Sequence, residues 1–444
     1  MSNISIKVRK LNCPEDISRY LQRTADPCRE ASKKVAMILD GVKRDGDRAL
    51  LEYIKEYDGF DVPDIREIRV ESEEISSARQ RVEKEYPGLV GALAASLKNI
   101  EKYHKNQLEK GQRSWMIENG PGRKLGQKVS PLKRVGLYIP GGRYAYPSTV
   151  LMTVVPAITA GVEEIMICSP PDSSGKLNDI LLYLCSVLNI SEIYRAGGAQ
   201  AVAAMAYGTE TIKRVDKIAG PGNIFVTLAK KMVYGSVGID SLAGPSDITI
   251  IADDSARADF IALDLLSQAE HDPLSGCILL SGSRDLAERV IENINILLEL
   301  MEDNERYRDN LEVVLKSLED FCRIFYCSDT DILIETCNII APEHLEIMAE
   351  DHKYILKGVR NAGAIFIGDY TPVAIGDYVG GTNHVIPTDG NARFSSPLGV
   401  SDFLKRSSIC IYNKDALEKE KRHIAEIAGF EKLYAHRDSV LKRF

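Results

Sequence analysis

The sequence predicts an α/β protein built from two incomplete doubly wound, Rossmann-like domains, with small arms at both ends. Three observations carry this expectation. Short apolar runs alternate with helical stretches over most of the 444 residues. Several of the apolar runs end in glycine-rich turns, and the alternation restarts after Gly244-Pro245-Ser246. A chain of this length also exceeds what one hydrophobic core holds.

Taken in order, residues 1–30, with Pro14 and Pro27, read as an N-terminal arm. From Arg29 to about Arg123 the pattern is mostly helical and highly charged, its charge runs being solvated faces. The single tryptophan, Trp115, lies near the end of that stretch. VGLYIP then reads as a buried strand, followed by Gly141, Gly142 and a helix over 150–160. EEIMICSP leads to a helix near 177–188, EIYRAGG to AQAVAAMAYG, and DKIAGPGN to IFVTLAKKMVYG. In the second run, DITIIAD, GCILLSG, RIFYC and AGAIFIGD are strands. ARADFIALDLLSQAEH, RDLAERVIENINILLELM and a segment near 329–338 are the helices between them. From about Gly390 the chain is loop-rich, then helical in LEKEKRHIAEIAGF. Such β-α units linked by right-handed crossovers give doubly wound sheets. The expected division is an arm over 1–30, a discontinuous first α/β domain over 31–135 and 248–390, a second over 136–247, and a C-terminal arm over 391–444.

Composition narrows the function classes. Hydrophobic residues make up 44% and charged residues 27%, an ordinary globular balance. A net charge of −8 argues against a broad nucleic-acid surface. Met1 to Lys10 lacks an apolar h-region, and no apolar run reaches membrane-spanning length. None of the nine cysteines forms a C-x-x-C pair, and most, such as Cys168 and Cys277, sit in apolar runs. They read as reduced, buried thiols of a cytoplasmic protein.

No G-x-G-x-x-G follows a strand. The turns YIPGG, RAGGAQA and AGPGN are weaker signals, each also readable as an ordinary strand-to-helix turn. Together, at the carboxyl edge of one sheet, they favour a nucleotide or phosphorylated ligand, because following helix starts offer free N–H groups.

Only seven histidines occur, so their placement is informative. Gln268 and His271 share a face at the end of a predicted helix, opposite the apolar residues Ile261, Ala262, Leu265, Leu266 and Ala269. That is half of a metal site or simply a solvated helix end. Glu343 and His344, after Pro342, suit the first turn of a helix. They form an adjacent acid and imidazole able to move protons, or a charged turn favoured by the helix dipole. Asp377 and His384 lie in a glycine-rich, non-helical stretch. Glu431 and His436 stand near the C-terminus. His104, His352 and His423, in charged helical surroundings, read as surface residues.

With these motifs assembled, the sequence resembles the histidinol dehydrogenase family from about Arg29 to Arg437. The likeness is strongest through VGLYIPGG, AGGAQA, AGPGN, IDSLAGPSD, LLSQAEHDP, APEHLE, GDYVGGTNHVIPT and ARFSSPLGVSDFLKRSS. It implies oxidation of L-histidinol through histidinal to L-histidine, with two NAD and one water. It implies one zinc per subunit held by Gln268, His271, Asp377 and His436, with Glu343 and His344 as the catalytic acid–base pair. Ser246, His384 and Glu431 would contact the substrate beside the metal ligands and His344. Tyr138, Gln200 and Asn223 would line the NAD site, on the side of residues 136–247. The resemblance further implies a homodimer whose C-terminal arms exchange, so that His436 serves the other chain. No nucleic-acid or membrane partner is expected. Three other readings use the same residues: a sister enzyme acting on a different polar alcohol, such as a sulfonated diol; a zinc hydrolase with Glu343 as base; and a non-catalytic metal-dependent interaction module.

Overall fold

A computed structural model describes residues 6–21, 28–141 and 146–444. Gly142 of the first glycine turn, Pro27 and the first five residues lie outside the described residues. The strands among them are β1 (Val8–Lys10), β2 (Trp115–Glu118), β3 (Arg123–Pro131), β4 (Arg134–Tyr138), β5 (Glu164–Ser169), β6 (Glu192–Arg195) and β7 (Lys217–Ala219), followed by β8 (Gly238–Ile239), β9 (Asp247–Ala252), β10 (Gly276–Ser281), β11 (Cys322–Tyr326), β12 (His344–Met348), β13 (Ala364–Ile367) and β14 (Leu404–Tyr412).

Two of the three sheets are fully parallel. One runs β6-β5-β4-β7-β8, the other β1-β11-β10-β9-β12-β13. Counted from its own first strand, each follows the doubly wound order 3-2-1-4-5, with β1 added at an edge of the larger sheet. Every residue of β4, β9, β10 and β12 is buried. Helices cover both faces of such sheets, which is why these strands read as near-continuous apolar runs. The connecting helices start and stop where local chemistry allows. The helix Pro147–Ala160 has proline in its first turn and ends at Gly161 with φ +88°.

The early helices depart from the expected grouping of 31–135 with 248–390. Helix Cys28–Tyr53 packs on Gly198–Tyr207 and Ile224–Val233, Ser72–Glu85 on Asp179–Val187, and Pro87–Gly111 on Pro147–Ala160. All three therefore cover the smaller parallel sheet. The alanine-rich helix Gly198–Tyr207 lets Val35, Ile38, Val42 and Leu50 approach closely and join its core. The N-terminal residues are also more than an arm, since β1 pairs with β11.

The third sheet, β14-β3-β2, is antiparallel and has no counterpart in the sequence expectation. It ends the charged stretch read as helical and replaces part of the loop expected after Gly390. Beyond it, helices Lys414–Phe430 and Tyr434–Leu441 pack on each other. Among the described residues no helix is long and apolar enough to cross a membrane. Cys168, Cys185, Cys277, Cys322, Cys327 and Cys337 are buried and none forms a disulfide among the described residues, whereas Cys13 and Cys410 are exposed.

Candidate active site

A cavity of about 520 Å³ opens between the carboxyl edge of the smaller parallel sheet and the amino edge of the larger one. Tyr138 and Gly220, at the ends of β4 and β7, line one wall. Ser246, Glu343 and His344, at the starts of β9 and β12, line the other. Both walls lie at the point where strand order reverses. The smaller sheet uses its carboxyl edge, as open α/β sheets do, but the larger one uses its amino edge.

Gln268, His271, Asp377, His384 and Asn223 line the same cavity. Gln200 lines an adjoining one of about 400 Å³, shared with Tyr138 and Asn223. Glu431 and His436 are not brought in. Both are exposed on the C-terminal helical segment.

Local structure corrects three sequence readings. Glu343 and His344 do not start a helix. Helix Thr330–Ile340 ends at Ala341 in the left-handed region (φ 51°), Pro342 follows, and His344 begins the interior strand β12. Asp377 lies on a short helix, Val373–Tyr378, rather than in a loop. His104 is fully buried, because it continues the Leu93, Ser96, Ile100 stripe of its helix. His423 is exposed and His352 half-buried. Gln268 falls in the last turn of helix Ala258–Ala269 and His271 just beyond it. The predicted apolar face of that helix is buried, but so is Gln268.

The acid and the imidazole are fixed by Asp247. Its backbone N–H donates to Glu343 Oε2 at 3.1 Å, and its Oδ1 accepts from the Glu343 N–H at 2.7 Å. Its carbonyl oxygen lies 3.0 Å from His344 Nδ1. Nδ1 therefore carries the hydrogen and donates, which leaves Nε2 as the free lone pair. Burial, then the Asp247 charge, pushes the Glu343 carboxyl well above the ordinary carboxylate range, against a hydrogen bond from Ser246. Burial lowers His384, while Asp377 and the Ser148 backbone pull it back up.

The helix bearing Asp377 is held at both ends. The Val373 N–H donates to Glu346 Oε1 at 3.0 Å. At the other end Ser96 Oγ donates to the Tyr378 carbonyl, and Asn99 Nδ2 to that of Val379 at 2.7 Å. Glu346 is itself buried, and Asp264 is the next group to it.

Among the described residues, three buried atoms in this cavity have no hydrogen-bond partner: Nε2 of Gln268, of His344 and of His384. A buried polar atom left so is costly unless something binds it. Gln268, His271 and Asp377 supply amide, imidazole and carboxylate, a donor set suited to a borderline divalent cation with open positions. Among the described residues no three His, Cys, Asp or Glu side chains gather at metal-binding spacing, and of this set only His271 and Asp377 are of those types. The residues present therefore fit a metal held by three groups of one chain and completed from elsewhere.

On the other wall several backbone donors are already taken. Asn223 Oδ1 accepts from the N–H groups of Phe225 and Val226, at 3.0 and 3.2 Å. Gly197 N–H donates to Asp58 at 3.0 Å, and Gly198 N–H to the Tyr138 hydroxyl at 3.1 Å. Those N–H groups are thus not free to bind a phosphate at these two turns. Gln200 Nε2 is likewise set by Asp58, at 3.1 Å. The AGPGN turn is further clamped by a buried ion pair. Lys230 Nζ donates to the Gly220 carbonyl at 3.0 Å, and Asp240 Oδ2 accepts from the Gly220 N–H at 2.8 Å. Gly220 has φ +119°, and a Cβ there would overlap the Tyr138 carbonyl oxygen, so only glycine fits. Sequence reasoning misses Asp58, Asp247, Lys230, Asp240, Glu346 and Asn383. One signal is available: Asp247 is a charge at the head of an otherwise apolar strand.

Comparison with known proteins agrees with this geometry over the whole chain. A family model described as histidinol dehydrogenase matches residues 21–444. Histidinol dehydrogenase of Methanothermobacter thermautotrophicus is 45% identical over 427 residues, covering 96% of each chain. That of Bacillus subtilis is 44% identical over 439 residues, covering 99% of each. The crystal structure of histidinol dehydrogenase from Elizabethkingia anophelis superposes with a TM-score of 0.90 at 33% identity, covering 99% of this chain and 98% of that one. With the fold, its length and the matched motifs all in agreement, this chain belongs to the histidinol dehydrogenase family.

Proposed function

We propose that this chain oxidises L-histidinol through L-histidinal to L-histidine, the last two steps of histidine biosynthesis, using two NAD and one water. The observation that carries this reading is the convergence of three buried, unpartnered atoms, on Gln268, His344 and His384, in one cavity. Glu343, Asp377 and His271 line it beside them. Gln268, His271 and Asp377 would hold zinc together with His436 of the partner subunit. Bound there, zinc would supply a site for the substrate's amine and imidazole nitrogens and so help orient the alcohol carbon. Tyr138, Gln200 and Asn223 would line the site of NAD, which accepts the hydride.

His344 Nε2 takes the alcohol proton, its tautomer set from behind by the Asp247 carbonyl. The aldehyde stays enclosed, protected from loss. Glu343, whose burial raises its proton affinity, takes a proton from the water that adds to the aldehyde. A second hydride departure then leaves the carboxylate. Ser246 holds Glu343 and faces the substrate. His384 contacts the substrate from the opposite wall.

The chain acts as a homodimer with exchanged C-terminal arms. Glu431 and His436 are exposed and outside their own cavity, beside the exposed apolar residues Ile427, Phe430, Leu433 and Tyr434. Such a patch fits a second subunit. Glu431 then brings an acid to a neighbouring site, where it favours an amine or imidazolium. The six buried thiols, none in a disulfide among the described residues, accord with a reducing compartment, the cytoplasm.

The test is NAD reduction with L-histidinol and with a sulfonated diol, before and after chelation. The reading expects turnover of histidinol alone, lost on chelation and restored by zinc. Turnover of the diol, or activity indifferent to exhaustive chelation, would overturn it.

A further inference from the structure

Pro156 lies inside the helix Pro147–Ala160 and is buried. Proline has no N–H, so the Met152 carbonyl one turn back loses its helical donor. Met152 is fully buried, and water cannot substitute. Asn383 supplies the missing hydrogen bond: its Nδ2 donates to the Met152 carbonyl at 2.7 Å. The other end of the same amide accepts from the Val385 N–H at 2.9 Å. Asn383 is 4% exposed, and both of its side-chain contacts are backbone groups. The residue between Asn383 and Val385 is His384, with Nε2 buried, unpartnered and in the cavity.

We infer that Asn383 is a positioning residue that uses the carbonyl freed by Pro156 as the anchor for His384. The helix and the His384 segment belong to different parts of the fold, 231 positions apart at this contact. The anchor therefore sets the His384 ring against a wall built by other elements. Helix propensity alone disfavours Pro156, and this bond gives the interrupted ladder a use. The inference rests on the reading that His384 contacts L-histidinol, so its test includes His384 itself.

Asn383→Ala, His384→Ala and the double variant Asn383→Ala/Pro156→Ala are compared for KM and kcat with L-histidinol and for Tm. Asn383→Ala is expected to lower Tm and to raise KM roughly tenfold, with a smaller change in kcat, the size expected for one lost buried hydrogen bond. In the double variant the backbone regains an N–H at position 156, which can serve the Met152 carbonyl. Tm should then recover while KM stays high. The double variant also keeps the question answerable if Asn383→Ala folds poorly. Recovery of KM together with Tm would overturn the inference, since Asn383 would then serve stability alone. An unchanged KM in Asn383→Ala beside a raised KM in His384→Ala would also overturn it, leaving the substrate reading intact. An unchanged KM in His384→Ala would remove the substrate reading and the inference with it.

Discussion

Asp247 and Glu343 hold each other by two reciprocal hydrogen bonds, each backbone N–H donating to the other's carboxylate, at 3.1 and 2.7 Å. The pair spans the amino ends of adjacent parallel strands, where side chains extend the ladder beyond its last backbone bond. The same Asp247 orients His344 through its carbonyl oxygen. One residue therefore sets both groups proposed to move protons, without facing the substrate itself.

Because Asp247 holds the two through different atoms, their roles should separate. Glu343→Gln is expected to keep more of the alcohol oxidation than of the aldehyde step. His344→Asn should lower both by about 10²–10⁴-fold, the usual size of a lost acid–base group. Single-turnover measurements from L-histidinol and from L-histidinal check this, and equal losses in both half-reactions of Glu343→Gln would contradict it.

The Glu346–Asp264 pair gives a pH signature. Burial raises both carboxyls, and the Asp264 charge raises Glu346 further. The native state thus holds protons that the unfolded chain has already lost. The pair's contribution to stability should be greatest below the ordinary carboxylate range and fall as pH rises from there through the raised native values. Glu346→Gln keeps an acceptor for the Val373 N–H and needs no proton, so the slope should flatten. Urea unfolding at a series of pH values reads the slope directly.

Lys230 and Asp240 are both buried at the Gly220 turn. Lys230→Met would leave Asp240 charged and unpaired and the Gly220 carbonyl without its donor. A loss of about 3–5 kcal/mol is expected, as for other broken buried pairs. Denaturant melts check the stability, and a raised KM for NAD should accompany the loss.

Arm exchange predicts complementation. Chains carrying His344→Asn and chains carrying His436→Ala should each be inactive alone. Mixed dimers would hold one doubly damaged site and one intact site, returning up to about half the activity. Absence of any recovery in purified mixed dimers would place His436 in its own chain's site or in none.

Much of this protein is visible in its sequence, and each miss has a physical cause. Most strands of the two parallel sheets are legible because burial on two faces leaves unbroken apolar runs, as in β4 and β9. Strand β12 is hidden because Glu343, His344 and Glu346 interrupt its run with polar groups whose partners are distant in sequence. The antiparallel sheet is hidden for the opposite reason: no residue of β2 or β14 is buried, so no core pattern marks them. The candidate site residues are identified by type and motif, and the structure gathers nine of the proposed set into one cavity. The groups that orient them, Asp247, Asp58, Asn383 and Lys230, have no local signature, because each acts through a contact made only on folding.

The central claim is a four-electron oxidation of one substrate in one enclosed site. The most direct measurement counts NADH formed per L-histidinol consumed by zinc-loaded protein, with trapping of free aldehyde. Two NADH per histidinol, with no aldehyde released, is the predicted result. One NADH with aldehyde accumulating in solution, or none at all, would contradict the account.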